Sequence, residues 1–189
     1  MKFRKKQMSI IKEVLQLRGY TITSQDDEIH FVKPDGKRGK VVFIKHDEKA
    51  NVDDLAAIFK PIVKDPIHVI IIYKTITNPA LNSFKNEISK YFTAELIPMS
   101  KLIRNPLNHR LSPTSYRKLS GKEKEQVLQQ YKTEESKFPA MSPTDIIAVL
   151  FGFCKDDMIE ITSHYNFTTK KVDMDMEPQI TYRVVKDAL

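Results

Sequence analysis

The run His68-Val69-Ile70-Ile71-Ile72-Tyr73 is almost wholly apolar and β-branched, with no alternation of polar residues. A strand with one wet face alternates, so a continuous run marks a strand covered on both faces. The fold must then place a layer on each side of a sheet. The surrounding residues can supply those layers. Residues 2–18 read as a helix, with Phe3, Ile10, Ile11, Val14, Leu15 and Leu17 as its apolar stripe and Gly19 as its stop. The exposed side of that helix is basic, with Lys2, Arg4, Lys5, Lys6, Lys12 and Arg18. Strands at Glu28–Lys33 and Lys40–Lys45 flank Pro34-Asp35-Gly36 and predict a hairpin. A helix over Asp53–Lys60 is capped by Asn51 or Asp53. Asn78 can cap, and Pro79 begin, another helix carrying Leu81, Phe84, Ile88 and Tyr91, before a short strand at Glu95–Pro98. This alternation predicts an α/β sandwich around a mixed sheet for the first half.

Asn105-Pro106 interrupts the pattern, and the charge balance changes there. Residues 1–105 hold 19 lysines and arginines against 12 acids, whereas residues 106–189 hold 12 of each; together these are the 31 and 24 of the whole chain. All of the excess of +7 lies in the first half, as suits a surface that attracts phosphate. Lysines that only solubilise a surface give the same count. With one cysteine, Cys154, no intramolecular disulfide can form, and a reducing compartment is expected. No apolar run has spanning length and the basic N-terminus has no signal-peptide core, so an intracellular protein without a membrane partner is expected.

The second half carries two capped helices. Ser120 and Glu123 form a capping box for the first, which is apolar at Val127, Leu128 and Tyr131 and wet at Lys122, Lys124, Glu125, Gln129 and Gln130. Pro139 blocks its continuation. The second helix is expected to start at Ser142 with Pro143 in its first turn, Asp145 at the positive end of its dipole and Gly152 at its end. Strands at Met158–Thr162 and Gln179–Val185 follow, joined by a long polar connection from Ser163 to Pro178.

Chemistry is sparse in this sequence. Asp35, then Asp47-Glu48-Lys49, matches the loose acid spacing of metal-dependent nucleases. The hairpin separates the two acids by about 25 Å at ~3.3 Å per residue, too far for one ion. Asp173-Met174-Asp175-Met176-Glu177, if extended, aligns three acids on one side, but a solvated loop edge is the simpler reading. His30, His46, His68, His109 and His164 have no metal-ligand spacing. His68 is expected to begin a buried strand. Cys154, next to a helix end, reads as a small buried hydrophobe. No Walker loop or nucleophile elbow is present, and no cofactor is expected.

The Leu119–Gly152 unit resembles the assembly domain of the fifth-largest common subunit of eukaryotic RNA polymerases, a family with an archaeal counterpart. The likeness rests on Tyr131, Lys132, Glu135, Ser136, Phe138, Pro139, Asp145, Phe151 and Gly152, on the closing Ile180-Thr181-Tyr182-Arg183, and on His109, Leu111 and Pro113 upstream. It extends weakly to Arg18-Gly19-Tyr20 and Thr77-Asn78-Pro79-Ala80. The resemblance implies an α+β protein, with an N-terminal α/β jaw-like domain built on a mixed sheet (residues 1–105) and a small C-terminal mixed αβ assembly domain (residues 106–189). It implies a non-catalytic subunit of a multisubunit DNA-directed RNA polymerase acting in transcription. His109, Pro113, Tyr131, Phe138, Pro139, Asp145, Gly152, Tyr182 and Arg183 would meet the largest subunit and its neighbours. Lys74, Thr77, Asn78, Pro79 and Lys85 would approach downstream double-stranded DNA. No small-molecule ligand or metal is implied.

Ala140, Ile146 and Asp156-Asp157 depart from the family pattern, and the Ser163–Pro178 connection is longer. The departures suit a divergent copy from a large DNA virus or, alternatively, a cellular protist. Its place would be a virion or cytoplasmic virus factory if viral, and the nucleus if cellular. A stand-alone basic DNA-binding adaptor is the alternative function.

Overall fold

The computed structural model describes residues 2–23, 29–44, 49–62, 67–106, 115–166, 169 and 171–187. The chain divides into two units, Met1–Arg104 and Asn105–Leu189.

The first unit begins with α1 (Lys2–Leu17), β1 (Thr21–Ile22), β2 (Ile29–Val32) and β3 (Arg38–Phe43). Next come β4 (Lys49–Ala50), α2 (Val52–Phe59), β5 (His68–Tyr73) and β6 (Thr75–Ile76). Helix α3 (Asn78–Ser83) then runs through a π-helical turn (Phe84–Ile88) into α4 (Ser89–Tyr91), and β7 (Ala94–Pro98) follows. The main sheet has the order β1-β2-β3-β5-β7. Its first three strands are antiparallel, and β3, β5 and β7 are parallel neighbours, which makes it a mixed sheet. The central β5 is buried along five of its six residues, as its β-branched run requires.

Strand alternation divides the apolar residues between two faces. On one, Val69 and Ile71 join Leu55 and Phe59 of α2 with Ala80 and Phe84 of the α3 segment. On the other, Ile29, Phe31, Val41, Ile70, Ile72 and Ile97 are buried on the side where α1 buries Ile10, Ile11, Val14 and Leu15. Gly39 stands opposite Phe31 in the β2–β3 ladder. A Cβ there would come within 2.3 Å of the Phe31 ring and 2.7 Å of the His68 carbonyl oxygen, so only glycine lets the ring lie across the strand.

Several expectations need correction. Thr77, not Asn78, caps α3: its amide donates to Ala50 O (2.9 Å), which holds it extended, and its hydroxyl accepts from the Ala80 amide (3.4 Å). Asn78 and Pro79 therefore fall inside the helix. Asn51 caps α2 through a reciprocal pair with Asp54. Leu17 and Tyr91 were expected on apolar stripes, yet they are 55% and 80% exposed. Leu17 lies at the frayed last turn before Gly19, and Tyr91 follows the π-helical turn, whose extra residue shifts the register of the face. Glu28, Lys45, His46, Asp47 and Glu48 lie outside the described residues.

The second unit contains β8 (Ser115–Lys118), α5 (Gly121–Tyr131), β9 (Ala140–Met141) and α6 (Ile146–Phe151). It continues with β10 (Met158–Ser163), β11 (Tyr165–Asn166), β12 (Lys171–Val172) and β13 (Gln179–Val185). Its sheet, β8-β10-β13-β9, has one helix on each face. Leu119, Val127, Met158 and Val184 form the core on the α5 face, and Met141, Ala148, Ile159, Ile161 and Val185 form the core on the α6 face. The expected polar connection after β10 carries the small β11–β12 hairpin.

Candidate docking face and nucleic-acid interface

The Ser120–Glu123 capping box forms as its spacing predicts, with the serine hydroxyl accepting from the Glu123 amide and the carboxylate accepting from the Ser120 amide (2.7 Å). The same carboxylate pairs with Arg117, which also donates to Glu160 (3.0 Å) on the neighbouring strand. Arg117 and these Ser120 donors hold the Glu123 carboxyl at about 2. The start of α5 is thereby tied to β8 and β10.

The helix stops before Pro139. Lys132 adopts a left-handed conformation (φ 48°) that ends α5, a single 3-10 turn covers Glu135–Lys137, and Pro139 leads into β9. This path folds Phe138 back toward Tyr131. Tyr131, Phe138 and Tyr182 form a triangle of edge-on rings with centroids 5.8, 5.9 and 6.3 Å apart. Phe138 and Tyr182 pack on the core beneath, while Tyr131 is 52% exposed. Desolvation, aided by the Glu160 carboxylate, raises the Tyr182 phenol above its ordinary value.

Lys186 fixes the approach to this face. Its ammonium donates to the carbonyls of Ser136 (2.9 Å) and Phe138 (3.0 Å), and its amide donates to Met141 O. Lys124 similarly reaches Asp156 O and pairs with Glu135. Sequence reading missed both lysines, because carbonyl acceptors leave no residue-type signal. Arg183 points away from the triangle, with its guanidinium 3.5 Å from Ala140 O.

Asp145 and Gly152 do not join the aromatic triangle. They cap the two ends of α6, on the opposite face of the sheet. Asp145 accepts from the Ile147 amide (2.8 Å) and is itself the cap, so the helix does not start at Ser142, whose hydroxyl is used inside the preceding turn. Gly152 ends α6 with φ 69°. Cys154 is exposed, contrary to the buried position expected, because Gly152 turns the chain outward before it. Asp173–Glu177 is a turn, with Met176 N donating to Asp173 O, so its acids do not align as an extended segment would align them. Among the described residues, no group of three His, Cys, Asp or Glu could hold a metal ion. His109 and Pro113 lie outside the described residues.

In the first unit, Lys74, Asn78, Pro79 and Lys85 are exposed around the start and π-helical turn of the α3 segment, with Thr77 half-buried between them. A cluster that the sequence did not announce lies on the α1 face. Arg18 forks onto Glu95, and His68 Nε2 stands 2.9 Å from Glu95 Oε1. Burial would raise the Glu95 carboxyl, but Arg18 and His68 outweigh it and hold it at about 2. Tyr20 stacks on Phe31 beneath the Arg18 and Lys33 cations, so Arg18-Gly19-Tyr20 works here as a structural joint.

No helix among the described residues is long and apolar enough to cross a membrane. Residues 104–185 match the family described as RNA polymerase Rpb5, C-terminal domain. The chain is also 24% identical over 162 residues to DNA-directed RNA polymerase subunit 5-like protein 1 of Arabidopsis thaliana, covering 85% of this chain and 71% of that protein. The matched segment takes in both helices and all of the four-stranded sheet of the second unit. Through residues 104–185 the chain is thus similar to the RNA polymerase Rpb5 C-terminal domain, in a divergent form.

Proposed function

We propose that the protein is a non-catalytic subunit of a multisubunit DNA-directed RNA polymerase, docking on the largest subunit through its second unit and holding its basic first unit near downstream DNA. The carrying observation is that the segment with the family match presents a solvent-facing aromatic triangle at Tyr131, Phe138 and Tyr182. Rings held edge-on over a packed core, with one of them half exposed, suit an interface anchor. Pro139 borders it, while Arg183, beside Ala140 O on the other face of the sheet, and the α6 caps Asp145 and Gly152 serve it indirectly. The charge excess of residues 1–105 supports a first unit that approaches phosphate, with Lys74 and Lys85 beside Thr77, Asn78 and Pro79 as its contacts. It would act wherever that polymerase transcribes, in a nucleus or a virus factory.

A tagged copy of the chain should bring down the two largest polymerase subunits in fixed ratio. Charge reversal at Lys74 and Lys85 should weaken retention of downstream DNA and leave assembly intact. Recovery of the chain as a stable free monomer with strong duplex affinity would instead identify a stand-alone DNA-binding adaptor.

A further inference from the structure

The sheet of the first unit is covered unevenly. On the α1 side, Ile29, Phe31 and Val41 are buried along its β2–β3 end. On the other side, the cluster built by α2 and the α3 segment takes residues from β3, β5 and β7 and none from β1 or β2. The register brings Thr21 opposite Val32, His30 opposite Lys40 and Val32 opposite Arg38, so these side chains share that second face with Thr23, whose amide pairs with His30 O. Thr21, Thr23 and Arg38 are exposed. A groove of about 400 Å³ opens there, bordered by Thr23, His30, Phe31, Val32, Arg38 and Gly39.

We propose that this open face of the β1–β2–β3 sheet is a binding site for the phosphate backbone of duplex DNA, with Arg38 and Lys40 as its two cations. Arg38 and Lys40 stand two residues apart on one strand, about 6.6 Å along it, a spacing close to that of successive phosphates. The two hydroxyls and the imidazole of the same face add donors suited to phosphate oxygens. Phe31 also lines the groove, but it is 1% exposed and its ring is stacked on Tyr20, so it offers unpaired bases no open face, which favours a duplex over a single strand. The inference rests on the reading of the first unit as the DNA-facing part of a polymerase subunit. It names a surface separate from Lys74 and Lys85.

The test uses the full chain and a fluorescent 20-base-pair duplex of mixed sequence, titrated at several salt concentrations. The R38E/K40E variant should lose about tenfold or more in affinity, and its salt slope should fall by about 2, the share of two phosphate contacts. R38K/K40R should bind like the parent. If R38E/K40E does not fold by circular dichroism, R38Q/K40Q supplies the same comparison with a smaller loss. An unchanged slope in a folded variant overturns the site, and if K74E/K85E alone abolishes binding, the DNA-facing reading survives without this surface. Absence of duplex binding by the parent chain at low salt overturns both, while co-purification still reports on assembly. Tighter binding of labelled polyglutamate than of duplex also overturns the proposal, in favour of an acidic protein segment.

Discussion

Arg18 donates to both carboxylate oxygens of Glu95, at 3.0 and 2.9 Å, across 77 residues of sequence. Its side chain is 3% exposed, so the pair ties the end of α1 to the edge strand β7 from inside the unit. Removing one partner of such a pair leaves a buried charge uncompensated, which costs more than the pair itself contributes. Arg18→Met should therefore destabilise the first unit by about 3–5 kcal/mol in urea denaturation, with an unchanged m-value.

Acid should act through the same carboxylate. The ordinary value for Glu95 is 4.5 and its folded value is about 2, so the unfolded chain binds more protons between those limits. The stability contributed is complete above pH 4.5 and is lost as pH falls toward 2, a change of about 3 kcal/mol. Urea midpoints measured from pH 6 down to pH 2 should show this loss, and Glu95→Gln should flatten the acid limb.

Gly39 is predicted to resist even the smallest side chain. Gly39→Ala drives a methyl group into the Phe31 ring and should cost about 1–3 kcal/mol or more. Phe31→Leu in the same chain should restore part of that loss, which a thermal melt of the single and double variants would reveal. Equal melting of Gly39→Ala and the parent would mean that the ring has room to move.

Tyr131 separates docking from folding. Because it is half exposed at the top of the triangle, Tyr131→Ala should cost the free chain about 1 kcal/mol or less. It should nevertheless lower recovery of the largest polymerase subunit severalfold in co-purification. Lys122→Ala, on the wet face of α5, is the control that should leave recovery unchanged.

Lys186 makes a related prediction through position alone. Lys186→Met keeps most of the stem but removes the donor to Ser136 O and Phe138 O, freeing the segment that carries Phe138. The expected outcome is weaker recovery of the partner with a loss of about 1–3 kcal/mol in stability, partly restored by Lys186→Arg.

Local features were legible in the sequence wherever the responsible groups lie within a few residues of each other. The Ser120–Glu123 box, the Gly152 stop and the covered strand His68–Tyr73 all follow from caps, left-handed preference and periodicity. The errors were local too: Asn78 for Thr77 and Ser142 for Asp145 each chose a plausible cap whose place was decided by where the preceding strand or turn released the chain.

What the sequence by itself determined, then, is the set of elements, the division of charge and the family likeness of residues 104–185, because these depend on residue type and short spacing. What only the tertiary structure decided is which distant residues meet. The Tyr131–Phe138–Tyr182 triangle, the Arg18–Glu95–His68 cluster and the open Arg38–Lys40 face depend on strand order and register. Those are fixed by packing both faces of each sheet at once, a condition that no single stretch of sequence contains.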